Sequence, residues 1–346
     1  MQSVHIYGAG MLASHMIELC NKVGIKVASV IDPKKVDSTL AGYKVVDTSE
    51  IEVGSTVFIA VLNNFVSMAK VSASLYQSGA GTVLTPPEVF FYFGENGISS
   101  EWYWLSTHKG YVHELAAKSR SLLNPILDDF SNSTLDVILN YRCSGLINES
   151  FIQSLDQQYF VTGIEEFWSG NVSLLDGGAY DGDTIISARL HGVNLTSVVA
   201  LEPDPSNFFK LQANTVGLDF NVTTFQAGLS DENSLASFNF TASTGSAQIE
   251  SSDLPRTQLI AFDSIVPRHH VTHIKLDIEG MEAKALLGMK KTIETFNPNM
   301  AISVYHKPED IFELSDMVMK LGSYNKFSLR NYAHQSFETI FYACAR

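Results

Sequence analysis

The segment Leu174-Leu175-Asp176-Gly177-Gly178-Ala179-Tyr180-Asp181-Gly182-Asp183-Thr184 carries the strongest chemical signal in the chain. An apolar run ends in a carboxylate, and a glycine-rich turn then opens a helix. Glycines let backbone N–H groups approach a ligand closely, and a helix N-terminus favours negative charge. The next apolar run, Val198-Val199-Ala200-Leu201, ends in Glu202-Pro203-Asp204. A carboxylate at that place can accept hydrogen bonds from two ribose hydroxyls. Asp176 and Asp181 crowd the turn with negative charge, which suits a dinucleotide pyrophosphate poorly. It suits a ligand with a ribose, an amino group and a cationic centre. S-adenosylmethionine has all three, so the pair of signals favours it over NAD. The candidate binding residues are Asp176, Gly177, Gly178, Ala179, Tyr180, Asp181 and Thr184, followed by Glu202 and Pro203. The alternative is a tight strand–helix turn in which Asp176 only caps the helix.

A second group of polar residues follows. Lys275, Asp277 and Glu279 alternate, so any extended part of Ile274–Gly280 turns them to one side. Asp277 ends one predicted strand and His306 follows the next. Ligands of doubly wound sheets sit beyond the carboxyl ends of the strands. The functional reading makes His306 a general base, with Asp277 and Glu279 orienting an acceptor or holding a divalent cation. In the structural reading Asp277 caps the following helix, Glu282 favours its dipole and His306 is a polar strand-end residue. No residue is assigned as a metal ligand. His269, His270 and His273 lack a partner carboxylate motif and read as a solvated loop. Trp102, Tyr103 and Trp104 read as packing aromatics, with stacking on a sugar face as the alternative. Arg142 suits either an anion clamp or a structural ion pair. Near the start, Gly8-x-Gly10-x-x-Ala13 has the form of a dinucleotide fingerprint, with Asp32 where a ribose partner belongs.

Residues from about 140 to 346 resemble methyltransferases of the FkbM family. The resemblance rests on LLDGGAYDGDT (Leu174–Thr184), ALEPDP (Ala200–Pro205), Gln226-Ala227-Gly228-Leu229-Ser230-Asp231, the block KLDIEGME (Lys275–Glu282) and YHKPEDIFEL (Tyr305–Leu314). It implies that Asp176, Gly178 and Tyr180 line the methionine part of S-adenosylmethionine, that Glu202 holds the ribose, and that Gln226 and Ala227 flank the adenine. Gly228 departs from the family pattern, standing where a bulkier residue is common. The resemblance also implies O-methyl transfer to a hydroxyl of a sugar in a surface glycan or its nucleotide-linked precursor. The N-terminal segment resembles a small nucleotide-binding domain found ahead of some sugar-modifying enzymes. Two other functions compete: an NAD(P)-dependent oxidoreductase built on the first glycine turn, and a non-catalytic nucleotide-sugar binding protein.

These residues need a scaffold. Short apolar strands at Val4–Tyr7, Val27–Ile31, Thr56–Leu62 and Thr82–Leu84 alternate with helical stretches, as in a parallel sheet covered on both faces. Alternation resumes at Val172–Asp176, Ser197–Glu202, Val222–Gln226, His273–Asp277 and Met300–Tyr305, with helices at Asn207–Val216, Glu282–Phe296 and Pro308–Leu321. Two strand-like runs, Tyr324–Arg330 and Phe337–Ala343, close the chain. The expected fold is α/β with two Rossmann-like doubly wound sheets. The C-terminal one is a class I methyltransferase fold ending in a β-hairpin, and a helical connector joins the two. The expected domains are 1–87, 88–170 and 171–346, and Leu235–Phe240 and Gln258–Phe262 are extra strands of an insertion.

The chain has 346 residues, enough for about two domains at roughly 150 residues each. Apolar residues make up 45%, enough for a sizeable core, and charged residues only 17%, unlike a disordered chain. The net charge of −14 argues against nucleic acid and anionic membranes as partners and leaves a small-molecule or saccharide substrate. Cys20, Cys143 and Cys344 make neither a disulfide framework nor a metal pattern. No apolar run reaches the ~18 residues of a membrane span, and the start reads as a strand entering a turn, so the expected location is the cytoplasm.

Overall fold

The computed structural model describes residues 3–97, 102, 104–105, 107–160, 163–239, 247–248, 256–265 and 270–345. Tyr103, Phe240 and His269 lie outside them. The chain divides into two compact units: Met1–Ser121, Asn132–Ile152 and Asn331–Glu338 in the first, and Leu122–Ser131, Gln153–Arg330 and Thr339–Arg346 in the second. Residues 88–170 are thus shared between the units, and the segment between the last two strands belongs to the first. Among the described residues no helix is long and apolar enough to cross a membrane.

In the first unit, β1 (Ser3–Tyr7), β2 (Lys26–Ile31), β3 (Thr39–Leu40), β4 (Tyr43–Val46), β5 (Thr56–Ile59) and β6 (Thr82–Leu84) form one sheet in the order β3-β4-β2-β1-β5-β6. Its pairs are parallel except for the β3–β4 hairpin, which the sequence pattern did not announce. The helices are α1 (Met11–Val23), α2 (Met68–Gln77), α3 (Pro86–Phe93) and most of α4 (Lys109–Leu123) and α5 (Asp129–Ser144). The core runs from Val4 and Ile6 through Phe58 and Phe90 to Trp102 and Trp104. Both indoles are therefore packing groups. Arg142 is buried here too: its Nε donates to Ser336 Oγ (3.1 Å) and its guanidinium lies over the Trp104 ring (4.9 Å).

In the second unit, β7 (Val172–Gly177), β8 (Leu195–Leu201) and β9 (Asn221–Phe225) lead into a four-stranded sheet of β10 (Ala227–Leu229), β11 (Ser234–Asn239), β12 (Ala247–Gln248) and β13 (Arg256–Ile260), where the sequence suggested an insertion. β14 (His273–Leu276), β15 (Asn299–Ser303), β16 (Tyr324–Asn331) and β17 (Thr339–Ala345) complete the main sheet, in the order β16-β17-β15-β14-β7-β8-β9. The five strands from β15 to β9 run parallel, and β17 runs antiparallel to β15. The expected α/β fold with a closing strand pair is therefore present. The helices are α6 (Asp183–Leu190), α7 (Pro205–Thr215), the short α8 (Phe262–Ile265), α9 (Glu282–Gly288), α10 (Lys290–Phe296) and α11 (Asp310–Leu321).

The single helix expected over Glu282–Phe296 is two helices, broken at Met289. A Cβ on Gly288 would stand 1.9 Å from the Ser230 carbonyl oxygen, so the helix meets the backbone just past β10 there, and the two helices part at Met289. Asp204 caps α7, its Oδ1 accepting from the N–H groups of Ser206 (2.7 Å) and Asn207 (3.0 Å), with Pro205 at the first helical position.

One glycine brings the two central strands together. Gly178 has φ +73°, and a Cβ there would lie 1.9 Å from the carbonyl oxygen of Asp277. Both the left-handed backbone and the contact exclude a side chain. Gly178→Ala is expected to cost about 3 kcal/mol of stability in denaturant unfolding. Gly10→Ala, where the added Cβ meets nothing within 4 Å, should cost under about 1 kcal/mol.

Candidate active site

The predicted residues of the second unit gather at the carboxyl ends of β7, β8, β9 and β14 and just beyond β15. Asp176 is the penultimate residue of β7 and is fully buried. Its carboxylate pairs with the Lys275 ammonium at 3.1 Å. Lys275 comes from the neighbouring strand β14, where Lys275 and Asp176 are register partners. The same ammonium donates to the Gly178 carbonyl at 2.6 Å. Burial raises the Asp176 pKa, and Lys275 opposes that rise. Burial alone would lower the Lys275 pKa, but Asp176, Asp277 and Asp183 outweigh it and leave it raised. Lys275 is thus a buried cation that ties the glycine turn to β14. A lysine between the apolar Ile274 and Leu276 of a strand was the sequence signal for this, since buried lysines are almost always paired.

The turn spends its N–H groups internally. Gly178 and Ala179 both donate to the Leu201 carbonyl (3.0 Å each), and Tyr180 donates to Glu202 Oε2 (3.0 Å). The other oxygen of Glu202 accepts from the Asp204 N–H at 2.9 Å. Each oxygen keeps a further lone pair for a ligand hydroxyl. Burial pushes the Glu202 pKa up to about 7, against the pull of the Asp204 and Tyr180 N–H groups. A pyrophosphate would find no donor on Gly178, Ala179 or Tyr180. Tyr180 itself is exposed, with φ +48°. Pro203 follows Glu202 half-buried, Thr184 is buried in the first turn of α6, and Asp181 is half-buried beside them. Gln226 is exposed and Ala227 buried where β9 passes into β10, next to Glu202, whose N–H bonds the Phe225 carbonyl at 3.1 Å.

Asp277, Glu279 and His306 converge, but not through strand alternation. β14 stops at Leu276, and the chain turns through Glu279 (φ +55°) and Gly280 (φ +89°). His306 is buried, with Nε2 3.5 Å from both Asp277 Oδ1 and Glu279 Oε2 and Nδ1 3.1 Å from Glu282 Oε1. Burial would lower the His306 pKa; Glu282, Glu279 and Asp277 outweigh it and hold it well above the usual value. Three contributors escaped the sequence reading. Glu282, expected only as a dipole partner, is the buried carboxylate that holds the imidazole. Tyr305 donates its hydroxyl to Asp277 Oδ1 (3.2 Å). Asp310 accepts from the Lys307 N–H (2.6 Å), and burial together with Glu282 raises its pKa.

Other candidates do not assemble. His273 is buried against Trp168 and the Phe167 carbonyl, and burial lowers its pKa to about 4. His270 is exposed beside Phe296. In the first unit, Asp32 accepts from the N–H groups of Ala9 (3.1 Å) and Lys34 (3.0 Å), while Lys35 Nζ donates to the Ala9 carbonyl (2.7 Å).

The profile of the methyltransferase FkbM domain matches residues 176–330, a span that begins at Asp176 and contains the whole constellation. Residues 176–330 are an FkbM methyltransferase domain. The FkbM domain holds both the glycine turn and the His306 cluster. Among solved structures, a methyltransferase FkbM from Methylobacillus flagellatus KT shares 18% identity at a TM-score of 0.78, covering 99% of this chain and 90% of that one. The likeness in fold therefore covers residues of both units. More distant similarities include a putative rRNA methylase from Clostridium thermocellum (14% identity, TM-score 0.32, 52% and 89% covered). Another is Aeropyrum pernix fibrillarin in complex with natively bound S-adenosyl-L-methionine (12% identity, TM-score 0.31, 51% and 67% covered). No curated protein matches the chain.

The buried pair generates a test. Lys275→Met leaves Asp176 buried without a cation and should cost about 3–5 kcal/mol in urea unfolding. Adding Asp176→Asn to that variant should recover a substantial part of the loss.

Proposed function

We propose that the FkbM domain is an S-adenosylmethionine-dependent O-methyltransferase whose acceptor is a hydroxyl of a sugar or glycan precursor. The observation that carries this reading is the chemistry of the donor set. The turn offers a buried acceptor carboxylate, Glu202, and no free N–H on Gly178, Ala179 or Tyr180. That set fits a hydroxyl-rich cation and not a phosphate. The net charge of −14 and the resemblance of the motifs to sugar-modifying members support a neutral saccharide acceptor.

When bound, S-adenosylmethionine supplies a methyl group already activated by the sulfonium, so alignment is much of what the protein must add. Glu202 accepts the ribose hydroxyls. Gly177, Gly178, Ala179, Tyr180, Asp181 and Thr184 shape the methionine end, with Asp176 acting from beneath the turn through Lys275. Pro203, Gln226 and Ala227 border the adenine. Asp277, Glu279 and His306 face the acceptor: together they polarise its oxygen, and one of the two carboxylates receives its proton. Glu282 keeps the imidazole in place, and Tyr305 orients Asp277.

Calorimetry with S-adenosylhomocysteine tests the cofactor assignment, and no binding at millimolar ligand would overturn it. His306→Ala should bind the ligand as the native protein does while losing methyl transfer to hydroxyl acceptors; turnover at the native rate would remove His306 from the reaction.

The Glu202 assignment predicts a pH dependence. The carboxylate form is the hydrogen-bond acceptor and grows as pH rises through about 7. Affinity for S-adenosylhomocysteine should therefore rise between pH 6 and 8 and level off above. Glu202→Gln should weaken binding at pH 8 by about tenfold or more and flatten this slope.

A further inference from the structure

We propose that Asp277, Glu279 and Nε2 of His306 form a binding site for a divalent cation of the magnesium or manganese type. The geometry around the imidazole carries the proposal. Glu282 Oε1 is held by the Ile278 N–H at 2.9 Å and stands 3.1 Å from His306 Nδ1. A carboxylate on the remote nitrogen is the usual support of a metal-bound histidine, because it fixes the tautomer and leaves the other nitrogen as the ligand. That other nitrogen, Nε2, faces Asp277 Oδ1 and Glu279 Oε2 at 3.5 Å each. Asp277, Glu282 and His306 each bring a ligand atom within 4.8 Å of the others. The Asp277 and Glu279 side chains are 23% and 33% exposed, so one side stays open to water or a hydroxyl.

A separate observation points to a cation. Among the described residues Glu282 Oε2 has no hydrogen-bond partner, although its side chain is only 1% exposed. Three carboxylates flank the imidazole, and Asp310, buried as well, acts electrostatically on both Glu282 and His306. The nearby Lys307 ammonium donates to the Gly280 carbonyl and also acts on Asp310. Buried carboxylates need a partner cation, and a divalent ion would supply that charge in place of the imidazole proton. One imidazole nitrogen with carboxylate oxygens and open positions for water suits hard divalent ions. There the ion would polarise an acceptor hydroxyl, and His306 would hold the ion instead of taking the proton itself. That catalytic role rests on the methyl-transfer reading; ion binding does not.

The test is titration of the full chain with Mn²⁺ at pH 7.5, followed by electron paramagnetic resonance, without methyl donor. The expected result is one saturable ion per chain, displaced by Mg²⁺. Asp277→Asn and His306→Gln should abolish it, and Glu282→Gln should weaken it by about 10–100-fold. Glu279→Gln changes a partly exposed side chain and keeps the test valid if a buried variant does not fold; it should weaken binding at least tenfold. No saturable binding in the native protein, or unchanged binding in Asp277→Asn and Glu279→Gln, overturns the proposal. Mn²⁺ binding without S-adenosylhomocysteine binding would instead count against the methyl-transfer reading alone.

Discussion

The ion pair between Lys275 and Asp176 organises the centre of the FkbM domain. Both groups are buried, on adjacent parallel strands, in direct register. Alone, either charge would be costly in that position, so each requires the other. The same ammonium holds the Gly178 carbonyl. That fixes the turn after β7 against the end of β14. Gly178 is the residue that permits the approach, because the Asp277 carbonyl occupies the space a side chain would need. The two halves of the site, the glycine turn and the Asp277 region, are thus positioned by one contact.

From that contact the rest follows in order. With its carbonyls held from beneath and its N–H groups taken by Leu201 and Glu202, the turn presents an acceptor surface. The first unit has a related turn with a different outcome. Its Asp32 also accepts from a turn N–H, but a lysine side chain lies on the Ala9 carbonyl and no acidic residue occupies the first turn of α1. Acidic residues instead crowd the second turn, with Asp183 close enough to influence both Asp176 and Lys275. Two similar strand–turn–helix units therefore differ in the charge they would welcome.

The His306 cluster depends on the same strand end. Once β14 stops at Leu276, the left-handed residues Glu279 and Gly280 reverse the chain and carry Asp277 and Glu279 to one side of the imidazole. Glu282, the first residue of α9, reaches the other side. A histidine flanked in this way has its orientation set by carboxylates on both nitrogens. That is a demanding arrangement to bury, and it concentrates negative charge where β14 and β15 end.

The order of apolar runs, the two glycine turns and the strand-end carboxylates were legible from the residues alone. Strands bury continuous apolar stretches, and turns need glycine, so both leave local marks. The places of Glu202, Asp277 and His306 were legible because polar residues directly after apolar strands stand at the carboxyl edge of a parallel sheet. What only the tertiary structure decided were the partners. Asp176 read as a ligand-facing carboxylate, yet its register with Lys275 turns it inward. Glu282 read as a helix-dipole residue, yet it holds His306 from a separate element. Trp102, Trp104 and Arg142 were open between binding and packing, and burial in the first unit's core assigns them to packing. The helix break at Met289 came from contact with Ser230, distant in sequence. In each case the deciding contact joins residues far apart in the chain, and local pattern carries no record of which distant group will meet them.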